Sequence, residues 1–196
     1  VRDGILPNIH PEDMIHDAEV VIPDNLLVHS SNDVIRDLVD VIYPDFRENM
    51  RNADYLRQRS ILTPTNVIVG DVNDYILHLI PGDTHTYYSQ DSMADMNLGE
   101  NENDFQSAFP TEYLNSINMP CLPKHELKLK VGSMVMRMRN LDQIMGLCSG
   151  TRMILKKCLK NSIFCEILCG SEVGSLHIIP SIEMLPTDSQ WPFDFK

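Results

Sequence analysis

The sequence contains no run of eighteen apolar residues, and so offers no membrane-spanning helix. It has no G-x-x-x-x-G-K-[ST] loop, the backbone cradle and lysine that hold the β- and γ-phosphates of a nucleotide, and no acidic magnesium-binding box. Gly146 to Gly150 with Thr151-Arg152 is too short for such a loop and lacks the lysine. Five cysteines (Cys121, Cys148, Cys158, Cys165 and Cys169) form an odd set with no C-x-x-C pair; a zinc site would need tighter paired spacing, and a disulfide framework would suit a secreted chain. Cys165 and Cys169, four apart in an apolar run, are expected to pack on one face as reduced thiols of an intracellular protein. No Ser-His-Asp or Cys-His nucleophile arrangement stands out, and no metal site is expected. The start, VRDGILPNIHPED, has neither an initiator methionine nor a basic stretch ahead of an apolar core. It reads as a fragment with no secretory signal.

Cations are scarce in one half and gathered in the other. Residues 1–104 carry 6 Lys+Arg against 20 Asp+Glu, a net of −14, whereas residues 105–196 carry 10 against 8, a net of +2. Within 113–160 there are nine (Lys124, Lys128, Lys130, Arg137, Arg139, Arg152, Lys156, Lys157 and Lys160) against Glu126 and Asp142, a net of +7. A total charge of −12 disfavours nucleic acid as a partner, but phosphate binding needs a local cationic patch rather than a basic protein. Residues 113–160 supply a candidate. At 43% hydrophobic, the chain has enough apolar content for one ordinary domain or two small ones.

Along the chain, residues 1–17 are rich in turn signals, and His10, His16, Asp13 and Asp17 read as a solvated acidic segment. Glu19 to Val28 reads as one or two short strands broken at Pro23. A helix capped by Ser31 should carry Val34, Ile35, Leu38, Val41 and Ile42 and stop before Tyr43-Pro44. Asn52 to Arg59 predicts a second, short helix. Ile61-Leu62 reads as a β run ending at Thr63-Pro64, followed by a helix from Thr65 or Asn66 with Val69, Val72, Ile76 and Leu79 on one face. Such a strand–turn–helix is the unit of an open α/β sheet. Tyr87 and Tyr88 sit at a strand end, where they would either pack or stack on bases. Residues 94–106 are acidic and Asn-rich and are expected to form a mobile insertion. Thr111 should cap a short helix that turns Tyr113, Leu114 and Ile117 inward.

The stretch LKLKVGSMVMRMRNLDQIMGLCSGTRMI, from Leu127 to Ile154, organises the rest. Leu127 and Leu129 face one way and Lys128 and Lys130 the other, as in a half-buried strand. A Gly-Ser pair leads into a second alternating run, whose Val135 face ends in Arg137 and Arg139. A polar loop with two glycines, Asn140 to Gly150, closes on Thr151-Arg152. Three further β runs, Thr151 to Cys158, Ser162 to Cys169 and Ser175 to Ile182, are separated by turn-competent segments. Together they predict an antiparallel meander or small barrel with cationic rims.

These words resemble a known family. LKLKVG, MRMRNLD and GLCSGTR, in that order, are similar to the LKVG, LLRNLD and GLCNGTR words of PIF-type DNA helicases, especially their plant and Helitron-transposon branch. RSILTPTN resembles the family's RAILTPKN, TYYSQDS its TYxSxDS, FPTEYLNS its YPTEFLNS, and the closing IPSI and WPFDFK its IPRI and PF.FKR. The resemblance runs from about Gly4 to Lys196. It implies a mixed α/β fold: part of a second, RecA-like motor domain over 1–108, then a 2B subdomain and meander over 109–196. It further implies a fragment of an ATP-dependent, 5′-to-3′ DNA helicase serving DNA repair, recombination or telomere maintenance, in the nucleus or the mitochondrion. Single-stranded DNA would be its partner, together with the N-terminal motor domain that the chain lacks. ATP and Mg2+ would be cofactors of the full-length protein, with neither bound by the fragment alone.

By the same resemblance Thr63, Asn66, Lys130, Arg137, Arg139, Asn140, Thr151 and Arg152 are candidate DNA contacts, and Arg59 is a candidate for the nucleotide cleft. The chain departs from the family at Ser149, where asparagine is usual, at Ser181, where arginine is usual, and at Met136-Arg137-Met138, which adds a charge to an apolar run. These departures suit an alternative: a non-catalytic nucleic-acid-binding or interaction module from a decayed Helitron-type transposon gene.

Overall fold

In the computed structural model, which describes residues 22–29, 32–92, 109–117 and 122–184, the chain divides into two compact units, Val1–Pro44 and Asp45–Lys196. The acidic insertion at 94–106, residues 1–17 and the closing WPFDFK lie outside the described residues.

In the first unit, residues 22–29 hold a 3-10 turn at Asp24–Leu26 where strands were expected. Pro23 stands at its N-cap, where its missing N–H costs no ladder bond and its fixed φ suits a turn. Helix α1, Val34–Ile42, is capped by Asp33, whose carboxylate accepts from the Arg36 N–H at 3.1 Å. Asp33, rather than the expected Ser31, therefore satisfies the first orphan donor. The helix ends at Tyr43, ahead of Pro44, as the proline rule requires.

The second unit opens with two short helices, α2 (Phe46–Asn49) and α3 (Ala53–Arg57). Asp45 takes the left-handed conformation (φ 54°) that turns the chain into α2 and buries Phe46. Asn52 caps α3 through both the Asp54 and Tyr55 N–H groups. Residues 60–64 then form no strand, and Leu62 is 92% exposed, so the expected strand–turn–helix is a turn and helix only. Helix α4, Asn66–Leu79, does start where expected, with Thr65 as its cap. It buries Val72 and half-buries Ile76 and Leu79, but leaves Val69 exposed.

Strand β1 (His85–Tyr88) pairs antiparallel with β2 (Glu126–Leu129), and between them runs helix α5 (Thr111–Ser116). Pro110, not Thr111, is the N-cap of α5; Leu114 is buried, while Tyr113 stays exposed beside the Phe109 ring. Strands β3 (Met134–Met136), β4 (Arg152–Cys158), β5 (Ser162–Ile167) and β6 (Leu176–Pro180) form a second antiparallel sheet in the order β3-β4-β5-β6. The meander is as expected. It remains an open sheet, with β3 and β6 as edges, and does not close into a barrel. Nor do the LKLK and MVM runs pair with each other, because each belongs to a different sheet.

The core lies between these two sheets. Met153 and Leu155 of β4, Cys165 and Ile167 of β5, Ile179 of β6, Leu147 of the long loop and Leu129 of β2 pack together, with Tyr87 and Val135 against them. Removing that apolar area from water is the main favourable contribution to the fold. Strand β4 is buried on both sides: Ile154, between Met153 and Leu155, is also covered. The Tyr87 hydroxyl donates to the Leu159 carbonyl at 2.7 Å, fastening the two-stranded sheet to the β4–β5 turn.

Candidate nucleic-acid interface

The nine cations of 113–160 divide into those held by the protein and those free of it. Lys128 pairs with Glu126 at 3.2 Å and Lys156 with Glu166 at 2.7 Å. Lys130 donates to the carbonyl of Ile80, the C-cap residue of α4, at 2.8 Å. Arg152 donates to the carbonyls of Leu56 (2.8 Å), Arg57 (3.2 Å) and Arg59 (2.6 Å) at the end of α3. Both lie where cations are favoured, against the orphan carbonyls and negative dipole end of a helix. Among the described residues, Lys124, Arg139, Lys157 and Lys160 have no hydrogen-bond or ion-pair partner.

Arg137 belongs to neither group. It is 9% exposed, its Nε donates to the Arg139 carbonyl at 3.3 Å, and one terminal nitrogen, Nη2, has no partner. Burial lowers its pKa, because the charged form is deprived of water. Its backbone continues the β3–β4 pairing, donating to Thr151 and accepting from Gly150.

The loop from Arg137 to Thr151 is built by its own side chains. Asp142 accepts from the Ile144 and Met145 N–H groups, and its backbone bridges to Leu147. The Asn140 side chain accepts from the Ser149 N–H at 2.8 Å, and the Ser149 hydroxyl donates to the Met138 carbonyl. Thr151 is buried; its hydroxyl donates to Gly146 and accepts from the Cys148 N–H. Gly146, at φ 71°, lies so close to Glu172 that an added Cβ would sit 3.1 Å from its Cγ. The left-handed φ favours glycine there, and a Cβ would displace the exposed Glu172 side chain by a few tenths of an ångström.

Of the sequence candidates, the structure brings Arg137, Arg139, Asn140 and Thr151 into this one loop. Arg59 and Arg152 meet at the end of α3, where the Arg59 guanidinium also lies over the Tyr55 ring at 4.2 Å. Thr63 and Asn66 stand apart from both groups in sequence, at the start of α4, where the Thr63 hydroxyl donates to the Thr65 carbonyl. Three of the free cations mark two ends of the four-stranded sheet, while Lys124 lies ahead of β2, beside Gly70. Arg139 is at the end where β4 begins; Lys157 and Lys160 are at the other, roughly 20 Å away for a seven-residue strand. Lys160 also lines an open cleft of about 340 Å3 with His85, Thr86, Tyr87, Cys158 and Leu159.

Sequence reasoning missed a polar junction that its own motif words build. The Asp91 carboxylate oxygen Oδ2 accepts from the Ser89 hydroxyl (2.8 Å) and contacts His125 Nδ1 at 3.2 Å. Asn115, with its amide nitrogen turned toward them, donates to the same oxygen at 3.1 Å and to the Thr111 carbonyl at 3.2 Å. Ser89 and Asp91 both meet the same ring nitrogen of His125, so no proton relay runs through this imidazole. The cluster joins the end of β1, the start of β2 and α5. Its role is structural.

Among the described residues no group of three His, Cys, Asp or Glu side chains could hold a metal ion, and no described helix is long and apolar enough to cross a membrane. The sequence holds no phosphate loop, and the described residues do not fit a nucleotide–magnesium site.

Residues 112–157 match the family model of the DNA helicase Pif1 2B domain. Among solved structures, the chain is similar to the Pif1 helicase from Candida albicans (16% identity, TM-score 0.42), over 78% of this chain and 40% of that one. It is also similar to a structure described as the basis for DNA unwinding at forked double-stranded DNA by two coordinating Pif1 helicases (18% identity, TM-score 0.40), over 76% and 32%. The chain thus spans two-fifths or less of the length of those proteins. No curated protein sequence matches it. In the segment that carries the cationic loop, the chain resembles the 2B domain of the Pif1-type DNA helicases.

Proposed function

We propose that this chain is the 2B-bearing part of an ATP-dependent, 5′-to-3′ DNA helicase, and that its contribution is to hold single-stranded DNA. In this reading residues 1–108 belong to a second motor domain, while ATP and Mg2+ are handled by parts of the longer protein. Its setting in this reading is the nucleus or the mitochondrion. The observation that carries the reading is a coincidence of place: the match to the Pif1 2B domain falls on 112–157, overlapping nearly all of 113–160, the segment whose net charge is +7.

The number of free cations in 113–160 sets what that segment contributes. Each neutralised phosphate contributes about −0.7 to the slope of log affinity against log salt for a single strand. The four free cations of 113–160 therefore contribute a slope of about −3, and micromolar or weaker binding is expected. Fluorescence-anisotropy titration of the chain with a thymidine oligonucleotide over a range of salt concentrations tests this. Arg139→Ala should weaken binding and flatten the slope by about 0.7. Binding that ignores salt, or no binding at low salt, would remove the reading.

A further inference from the structure

The loop between β3 and β4 combines two properties that seldom coincide: it is tightly built and its tip is apolar. Ile144 is 89% exposed and Met145 49%, with Leu141 and Met138 exposed nearby. A mobile loop can fold such side chains away. This one is held by Asp142 to the Ile144 and Met145 N–H groups, by Leu147 in the core and by the Asn140, Ser149 and Thr151 bonds. The apolar tip is thus presented to solvent by a fixed frame.

Its surroundings select the occupant. The only acid of the loop, Asp142, uses its Oδ1 to close the turn beneath the tip. The Arg139 guanidinium, two residues before Leu141, has no partner, Arg137 is a buried cation with no carboxylate, and Glu172 packs against Gly146. Apolar side chains beside the unpaired Arg139 guanidinium complement an unstacked nucleic-acid strand, whose base faces are apolar and whose backbone is anionic.

We propose that Leu141, Ile144 and Met145 form a contact surface for the unstacked bases of single-stranded DNA, with Arg139 meeting the adjacent phosphate. This rests on the strand-binding reading above and adds that the loop recognises bases as well as charge. It predicts a preference for strands that carry bases over bare sugar–phosphate.

The test compares the affinity of the chain for a thymidine oligonucleotide and for an abasic sugar–phosphate oligomer of the same length and charge. Wild type should favour the thymidine strand by about three- to tenfold, the worth of partly covering two apolar side chains. In the double variant Ile144→Ser with Met145→Ser the preference should vanish while the salt slope stays unchanged; Arg139→Ala should do the reverse. Circular dichroism of the double variant should match wild type and its melting temperature should stay close, since Ile144 lies in solvent and Met145 is half exposed. Equal binding of the two oligomers by wild type overturns the base contact and leaves strand binding standing. Binding to neither removes both. Self-association that the double variant abolishes would assign the tip to a second copy of the chain and overturn the proposal.

Discussion

Arg139 and Arg152 look alike in sequence and differ in what they touch. Arg152 reaches three carbonyls at the end of α3, and hydrogen bonds from a charged donor contribute about 1.5–3 kcal/mol each when their partners are left without substitutes. Arg152→Ala should therefore lower stability by roughly 2–4 kcal/mol in urea denaturation, discounting for carbonyls that water can reach. Arg139→Ala should stay within about 0.5 kcal/mol of wild type. A DNA-binding loss in the first variant would follow from unfolding, and in the second from charge. Cys165 supplies a pH test. Burial pushes its thiol from the ordinary 9.0 up to about 12, so the unfolded chain releases this proton first as pH rises. Stability from this group is present below 9.0 and falls between 9.0 and about 12, by ~1.4 kcal/mol per pH unit. Cys165→Ala should remove that part of the alkaline slope in thermal melts, although it also leaves a small cavity. At mildly alkaline pH an alkylating reagent should reach Cys165 only after unfolding, as peptide mapping would show.

At the level of elements, the decisive joint is the Tyr87 hydroxyl on the Leu159 carbonyl. Tyr87→Phe should cost ~1 kcal/mol, and hydrogen exchange should quicken in β1 and β2 more than in β4 and β5. Residues explain which elements could be read from sequence. Asn52 and Thr65 are short polar caps directly before apolar periodicity, so α3 and α4 were legible. The β4–β5–β6 meander was legible from three β runs separated by turn residues. The barrel was not excluded by sequence, because closure depends on whether β3 and β6 meet, and alternation says nothing of sheet edges. The Ile61-Leu62 run shows the limit of pattern: two apolar residues before a proline satisfy a strand template without any partner to pair with. The bulge in the β4–β5 ladder between Leu155 and Lys157 was equally hidden. It shifts parity by one residue, so Lys156 and Lys157 are both exposed. At the candidate site, local sequence placed Arg137, Arg139, Asn140 and Thr151 in one loop. It could not reveal that Lys130 and Arg152 close helices fifty and more positions earlier, since such contacts depend on the tertiary fold.

For the whole molecule, stability should be unevenly distributed. In the second unit, Met153, Ile154 and Leu155 are consecutive buried residues of one strand, whereas α1 of the first unit buries only Val39 among its nine residues. Amides of α1 should exchange with solvent deuterium well before those of β4, a difference that mass-spectrometric exchange would resolve by peptide. Equal protection would mean that the two units open as one. The junction around Asp91 has a practical consequence of its own. Ser89, His125 and Asn115 converge on that carboxylate just before the peptide leaves at Ser92 and just after it returns at Phe109. The two posts are set by neighbours outside the intervening stretch. By loop-closure entropy, doubling the length of chain between two fixed posts costs only about 0.6 kcal/mol. An epitope tag or a fluorescent reporter spliced between them should leave both sheets intact, which makes this the natural place to label the chain for single-molecule work.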